Sequence, residues 1–176
     1  MTILTIDFEA SCLPRHGRSF PIEVGVAGGG LSRSWLIRPA ACWAGWDWTQ
    51  EAEALHGISR ARIERDGLPA AQVLAELVAT VAGRRVIADS PLDQYWLDRL
   101  AAAAEAVTPF RIDHVSVLFD EQQASEARIT AAVAHADSLG LVRHRAAGDA
   151  LWLAALIDHL LAPAPPLARP ALVAAQ

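Results

Sequence analysis

Apolar residues along this chain follow two different spacings, one typical of strands and one typical of helices. Continuous apolar runs rich in β-branched residues indicate buried strands. They predict strands at about 1–7, 20–27, 31–38, 85–88 and 112–119. Apolar residues at helical spacing predict helices at about 70–82, 91–106, 121–139 and 147–161. We expect residues 43–67 to be irregular or to form short helices.

The order of these elements predicts the fold class. Glycines 28–30 separate the second and third apolar runs and indicate a tight antiparallel hairpin. The later strands alternate with helices, which favours an α/β fold with a mixed five-stranded sheet flanked by helices. We therefore expect one domain over residues 1–162, followed by a Pro- and Ala-rich tail over residues 163–176.

The composition is that of a globular chain from a reducing compartment. A chain of 176 residues, 53% of them apolar, is long enough for one domain with a sizeable core. Cys12 and Cys42 do not make a disulfide framework. The N-terminus enters a strand with no basic segment before it, and the most apolar stretch, 150–162, is too short and too polar to span a membrane. We expect a cytoplasmic protein with no membrane partner.

The charge of the chain limits how it binds nucleic acid. The formal net charge of −5 argues against nonspecific duplex binding through a broad basic surface. Four arginines near the motifs described next are candidates for phosphate contacts, although an ordinary solvated role is favoured for each: Arg15, Arg18, Arg143 and Arg145. A cluster formed by Trp43, Trp46 and Trp48 suits base stacking, and local packing is its favoured role.

Asp7 and Glu9 carry the most chemical information in the sequence. They follow the first buried strand, and side chains two residues apart on a strand point to the same face. Two neighbouring carboxylates repel each other and lose hydration, so they favour a shared proton or a cation. Hard cations such as Mg²⁺ bind carboxylate oxygens. The pair is therefore a candidate metal site, although two solvated loop acids are the favoured interpretation of the pair taken alone.

Two further clusters contain acids near the start of a predicted helix. Asp93 follows a short strand and the helix-start signal Ser90-Pro91, so it lies in a first helical turn. His144 and Asp149 are five residues apart and do not share a helix face, which favours a loop position for His144 and a helix position for Asp149. The alternatives are capping or first-turn acids and a surface histidine.

Taken in order, Asp7-x-Glu9, Asp93 and His144 with Asp149 resemble the three motifs of the DEDDh, or DnaQ-like, exonucleases. The resemblance covers about residues 2–160. A further similarity is the sequence His56-Gly57-Ile58, which resembles an element that precedes the first long helix of these enzymes. One residue departs from the pattern: Asp89 stands where the family often has Asn, which affects the expected substrate contacts and not the catalytic set.

The resemblance implies a ribonuclease-H-like fold and a two-metal 3′→5′ exonuclease that releases 5′-mononucleotides from single-stranded ends. It implies that two Mg²⁺ or Mn²⁺ ions are bound, with Asp7 as the shared ligand, Glu9 and Asp149 at one ion and Asp93 at the other, and that His144 is the general base. The residues expected to border the terminal nucleotide are Ala10, Ser11, His56, Gly57 and Ile58.

Several alternatives stay open at this point. The sequence does not decide between single-stranded DNA and RNA as the substrate, because no residue is a recognisable reader of the 2′-hydroxyl group. An RNA-directed exonuclease of the ribonuclease T or oligoribonuclease kind is therefore the nearest competing prediction. An inactive polymerase-accessory module on the same fold is the competitor from another class. Expected partners are nucleic-acid 3′ ends and the mononucleotide product, with a second copy of the chain or a polymerase as further candidates.

Overall fold

A computed structural model describes residues 2–162 and contains one mixed sheet with helices on both faces. The predicted tail at 163–176 lies outside the described residues. The strands are β1 (Ile3–Ala10), β2 (Pro21–Gly28), β3 (Leu31–Leu36), β4 (Arg85–Ala88) and β5 (Ile112–His114). The helices are α1 (Gln50–His56), α2 (Arg60–Asp66), α3 (Ala70–Val81), α4 (Leu92–Ala103), α5 (Val115–Glu121), α6 (Glu126–Ser138) and α7 (Ala146–Leu161).

The sheet has the strand order β3-β2-β1-β4-β5. The first three strands form an antiparallel meander, and β4 and β5 run parallel to β1. This confirms the predicted α/β class and the mixed five-stranded sheet. Among the described residues, no helix has the length and apolarity that crossing a membrane requires.

Two apolar clusters lie on opposite faces of the sheet, because alternate strand residues point to opposite sides. Leu4, Ile6 and Phe8 of β1 pack in the cluster that includes α3 and α4. The cluster on the opposite face includes residues of α5, α6 and α7. Thr5 bonds to α7 on this second side. The side chains of Asp7 and Glu9, which alternate with Ile6 and Phe8, therefore point to the α7 side.

Three predicted boundaries are wrong. β1 continues through Asp7 and Glu9 to Ala10, because β2 pairs with it along that whole length. The strand predicted at 112–119 ends at His114, and residues 115–121 form α5. The helix predicted at 121–139 begins only at Glu126, where the Ser125 side chain accepts a hydrogen bond from the Arg128 N–H.

The α5 error has a clear physical cause. A short apolar run such as 115–119 fits a strand or a buried helix equally well. Val115 and Leu118 are buried three residues apart, which is helical spacing, and the His114 side chain caps the helix by accepting from the Ser116 N–H at 3.2 Å.

Candidate active site

The candidate site lies where β1 extends past its parallel neighbour. β4 pairs with β1 only from Ile3 to Thr5 and then stops, whereas β1 runs on to Ala10. Beyond Thr5, one edge of β1 is paired with β2 and the other edge is open. Asp7 and Glu9 lie on this open segment.

Asp93 of α4 fills the opening beside β1. Its Oδ1 atom accepts a hydrogen bond from the Phe8 N–H at 3.1 Å, which replaces a bond that a longer β4 would have made. The start of α4 is held by Ser90, whose side chain accepts from the Leu92 N–H at 3.1 Å. The residue is only 1% exposed, so its carboxyl group is directed inward rather than into solvent.

The first turn of α7 brings Asp149 to the same place. Gly25 of β2 makes this approach possible, because a Cβ atom there would lie 2.3 Å from the Ala146 carbonyl group. The hydroxyl group of Thr5 donates to the Ala150 carbonyl oxygen at 2.6 Å and fixes α7 against β1. Asp149 therefore faces the open segment of β1, as the predicted helix position requires.

Five carboxylates meet at this point in two groups that share one member. Oxygen atoms of Asp7, Glu9 and Asp149 lie within 4.8 Å of one another, and so do oxygen atoms of Asp7, Asp89 and Asp93. The four acids predicted from the motifs are thus brought together, with Asp7 in the shared position. Asp89 is a fifth acid that the motif pattern did not include.

Burial and mutual repulsion change the ionisation of these acids. Removal from water, reinforced by the charges of Asp93 and Glu9, raises the pKa of Asp7 well above its usual range. The same loss of hydration, with the charge of Asp149, raises the pKa of Glu9 to about 8. Burial likewise raises the pKa of Asp93. The fold alone therefore does not stabilise the charged forms of these groups.

The donor atoms fit a hard divalent cation. Asp7 Oδ2 and Asp93 Oδ2 are buried and have no hydrogen-bond partner among the described residues. A buried carboxylate oxygen without a partner is costly, and a bound cation removes that cost. Because all the donors are carboxylate oxygens, they suit Mg²⁺ or Mn²⁺ better than a soft metal.

A buried ion pair holds the segment next to the site. Arg145 donates two hydrogen bonds to Glu23, at 2.9 Å from Nε and 2.7 Å from its terminal nitrogen, and the Ala146 N–H donates to Glu23 at 3.2 Å. Glu23 is 2% exposed and lies opposite Glu9 in the β1–β2 register. The pair fixes the start of α7, so Arg145 has a structural role.

His144 lies in the loop before α7, as expected, and its side chain is exposed. Its backbone has a φ of 59°, which is the left-handed region. Within residues 2–162 its side chain makes no hydrogen bond or ion pair, so it is free to reorient, and its role as a base stays a prediction. The adjacent Arg143 donates to Asp149 and lies 4.2 Å from the centre of the Trp152 ring.

A cleft of about 310 Å³ lies beside Glu9 and is lined by two residues predicted to border the nucleotide, Ala10 and His56. His56 is 4% exposed, and its Nδ1 atom accepts from the Ile58 N–H at 3.0 Å, which leaves the proton on Nε2. Burial lowers the pKa of His56, so the ring is neutral and available as a donor.

The other three predicted nucleotide-binding residues do not line this cleft. Ser11 is buried and accepts a hydrogen bond from the Phe20 N–H at 3.1 Å. Gly57 ends α1 with a φ of 66°, and Ile58 is fully buried in the core.

The tryptophan cluster packs against the core. Trp43 stacks on Phe20 with ring centres 5.3 Å apart, and Trp48 donates to Glu53 at 2.6 Å. This agrees with local packing, the favoured interpretation. Trp96 is buried, whereas Trp152 is only half-buried and donates to Asp137 at 2.8 Å.

Asp89 is the residue that the motif comparison left out of the acid set. The signal that identifies it is strand register: Thr5 is opposite Ile87, so Asp89 follows β4 at the level of Asp7. Carboxyl ends of parallel neighbours lie at one edge of a sheet, and side chains at equivalent levels lie close together. The sequence does not give this register before β1 and β4 are known to pair.

Comparisons with known proteins give a structural likeness without a sequence match. No protein-family model and none of the curated proteins matches the chain. Among solved structures, a 3′-exonuclease that recognises the 3′ end of a histone mRNA stem-loop is 16% identical, with a TM-score of 0.69 over 90% of this chain and 63% of that one.

Exonuclease I gives a similar result. The Escherichia coli enzyme in complex with a dA16 oligonucleotide is 12% identical, with a TM-score of 0.65 over 90% of this chain and 40% of that one. Exonuclease I from Methylocaldum szegediense is 15% identical, with a TM-score of 0.56 over 89% of this chain and 40% of that one. The chain thus spans about two fifths to three fifths of these relatives' length. At such identities the likeness is one of fold, and the predicted ribonuclease-H-like fold is confirmed.

Proposed function

We propose that the chain is a metal-dependent 3′→5′ exonuclease of the DEDDh group, which hydrolyses phosphodiester bonds at the 3′ end of a single strand and releases 5′-mononucleotides. The observation that carries this proposal is the pair of carboxylate groups sharing Asp7, with buried and unpartnered oxygen atoms on Asp7 and Asp93. It is supported by the fold, which is that of the 3′-exonucleases.

Each acid has a role that follows from its position. Asp7, Glu9 and Asp149 would hold one divalent cation, and Asp7 and Asp93 would hold a second, with Asp7 shared. When bound, such a pair of ions supplies an activated water and stabilises the charge that develops during in-line displacement. Mg²⁺ and Mn²⁺ both suit the oxygen donors.

His144 would accept the proton of the attacking water. Imidazole suits this step because it is neutral near physiological pH. The exposed position of His144 in the loop before α7 would let it close over bound substrate and reach the attacking water. The terminal nucleotide would lie in the cleft beside Glu9, bordered by Ala10 and His56.

The direct test is degradation of labelled single strands. DNA and RNA of one sequence, 5′-labelled, are incubated with the protein and Mn²⁺, with and without chelator. We expect shortening from the 3′ end that requires metal and releases 5′-mononucleotides. A 3′-phosphate should block it and a 5′ block should not; this direction rests on resemblance alone. Strands of two to five nucleotides, included in the same series, test for an oligoribonuclease-like preference.

Two outcomes would contradict the proposal. Attack that begins at the 5′ end would exclude the DEDDh assignment. Binding of the strand without any shortening, by protein that binds Mn²⁺, would favour the inactive accessory module. Preference for RNA over the matched DNA would select the ribonuclease T or oligoribonuclease kind. A cytoplasmic location and a homodimeric or polymerase partner stay sequence-based predictions.

A further inference from the structure

Asp89 occupies a fixed position at the edge of the candidate site. It is the first residue after β4, and its carbonyl oxygen accepts a hydrogen bond from His114 Nε2 at 2.9 Å. The side chain of the next residue, Ser90, accepts from the Leu92 N–H at the start of α4. The backbone on both sides of Asp89 is therefore held by β5 and α4, whereas its side chain is exposed and free to change rotamer.

We propose that Asp89 is a fifth carboxylate ligand, which binds the cation held by Asp7 and Asp93. This inference rests on the proposed function, because it assigns a new ligand within the same site. The basis is geometric: one oxygen atom from each of Asp7, Asp89 and Asp93 lies within 4.8 Å of the other two.

The buried acids of this group have oxygen atoms without a partner among the described residues. Asp93 uses Oδ1 to accept from Phe8, while its Oδ2 is buried and has no partner within residues 2–162. Asp7 Oδ2 is likewise buried and has no partner within these residues. Ligands of one Mg²⁺ at about 2.0–2.1 Å lie at most about 4.2 Å apart. A rotamer change of the exposed Asp89 side chain supplies the small adjustment that ligation requires.

The Asp89 carboxylate has no structural task that would explain its position. In the described part of the chain, its side chain makes no hydrogen bond to another residue and no ion pair, and only its backbone carbonyl is bonded to another element. Asp98, an exposed acid of α4, is different because its carboxylate accepts from Gln94 at 2.9 Å and from Thr108 at 2.8 Å. Asp98 belongs to neither carboxylate group, which makes it the matched control.

The proposed ligand changes the balance of charge at one ion and not at the other. Asp89 is in the group with Asp93, whereas Glu9 and Asp149 form the other group with Asp7. An added carboxylate replaces a water molecule at the Asp93 ion and strengthens its binding. Removal of the charge should therefore weaken one of two Mn²⁺ binding events and leave the other nearly unchanged.

Calorimetry of Mn²⁺ binding without substrate tests this inference. Asp89→Asn, which keeps the side-chain shape, should weaken one binding event about tenfold or more, while Asp98→Asn should bind as the wild type does. The loss should persist at high salt, because screening by salt weakens a distant field and not a direct ligand. The metal-free Asp89→Asn protein should melt no lower than the wild type, because one of several like charges is removed.

The possible results separate this inference from the function on which it rests. If Asp89→Asn binds Mn²⁺ as the wild type does, while Asp93→Asn and Asp149→Ala lose binding, Asp89 is not a ligand and the exonuclease proposal stands. A loss that disappears at high salt, or that Asp98→Asn shares, also overturns the assignment. If the wild-type protein binds no Mn²⁺, both proposals fail.

Discussion

Glu23 of β2 and Asp7 of β1 both have carboxyl oxygens removed from water, on neighbouring strands of one sheet. Glu23 receives three hydrogen bonds, two of them from the guanidinium group of Arg145. Asp7 is surrounded by four other acids and has a buried oxygen without a partner among the described residues. The fold supplies a guanidinium group to the structural acid Glu23 and supplies no hydrogen-bond donor to the buried Asp7 oxygen, where a cation from solution is expected.

Substitution of Asp7, the acid without a positive partner in this comparison, should give the largest effect on activity. Asp7→Asn removes the ligand shared by both groups, so we expect a loss of about 10³-fold or more in exonuclease rate. The metal-free variant should be no less stable than the wild type, because repulsion is relieved. Rates and urea unfolding with chelator measure both. Near-wild-type cleavage would exclude the metal-site assignment.

His144 tests whether a group beside the cluster acts without holding metal. His144→Ala should lower turnover by about 10²–10⁴-fold, as is typical for loss of a general base. Mn²⁺ affinity should be nearly unchanged, and the residual rate should rise with pH as hydroxide becomes available. Calorimetry and rates across pH separate these effects. If the variant loses Mn²⁺ affinity as Asp149→Ala does, His144 is a ligand or a structural residue.

Substitution of Glu23 tests the acid that is paired with Arg145. Glu23→Gln leaves the Arg145 charge without its partner, and breaking a buried pair costs about 3–5 kcal/mol. We expect about 3 kcal/mol, the lower end, because the Arg145 side chain is 30% exposed. Urea unfolding measures the loss. Glu64→Gln, which breaks an exposed pair with Arg60, should cost less than about 1 kcal/mol and is the control. Equal losses in the two variants would contradict the structural role.

The pH dependence of stability sharpens the comparison further. The pKa of Glu9 rises from the usual 4.5 to about 8 in the folded protein. Between these values the folded state keeps a proton that the unfolded state has released, so the free energy of unfolding falls as pH rises, by up to about 1.4 kcal/mol per pH unit for one such group. Asp7 and Asp93 shift in the same direction.

Urea unfolding across this pH window, with chelator and with Mn²⁺, checks the sign. Stability should fall with rising pH in chelator and should be restored by Mn²⁺, which binds the deprotonated acids. Glu9→Gln should reduce the slope in chelator. If the free energy of unfolding of the metal-free protein instead increases with pH through this window, the fold itself stabilises the charged forms of the acids.

The smallest effect concerns Arg143, the one basic side chain that donates to an acid of the cluster, Asp149, within the described chain. This ion pair offsets the Asp149 charge that would attract a cation. Its side chains are 40% and 12% exposed, and we expect it to contribute about 1 kcal/mol, the upper end for exposed pairs. Arg143→Gln should therefore bind Mn²⁺ up to about fivefold more tightly. Arg65→Gln, which breaks an exposed pair with Asp66, is the control. Weaker Mn²⁺ binding by Arg143→Gln would show that the arginine supports the site.

The sequence predicted the parts of the site that depend on local pattern. The side-chain alternation of β1 puts Asp7 and Glu9 on one face, and the helix-start signal puts Asp93 in the first turn of α4, as observed. Properties that depend on pairing were not predictable in this way. The extension of β1 past β4, the hydrogen bond from Phe8 to Asp93 and the place of Asp89 all follow from strand register. The short run at 115–119 was ambiguous because packing, and not periodicity, decides its structure.

The bond between Thr5 and Ala150 joins residues 145 positions apart, near the two ends of the described chain. Contacts of such long range form late and slowly, because a large loop must close before they contribute any stability. We expect the site to form late in folding, because Asp149 reaches Asp7 only when α7 has docked. During refolding, Mn²⁺ affinity should appear after most of the secondary structure has formed, and bound Mn²⁺ should slow the undocking of α7.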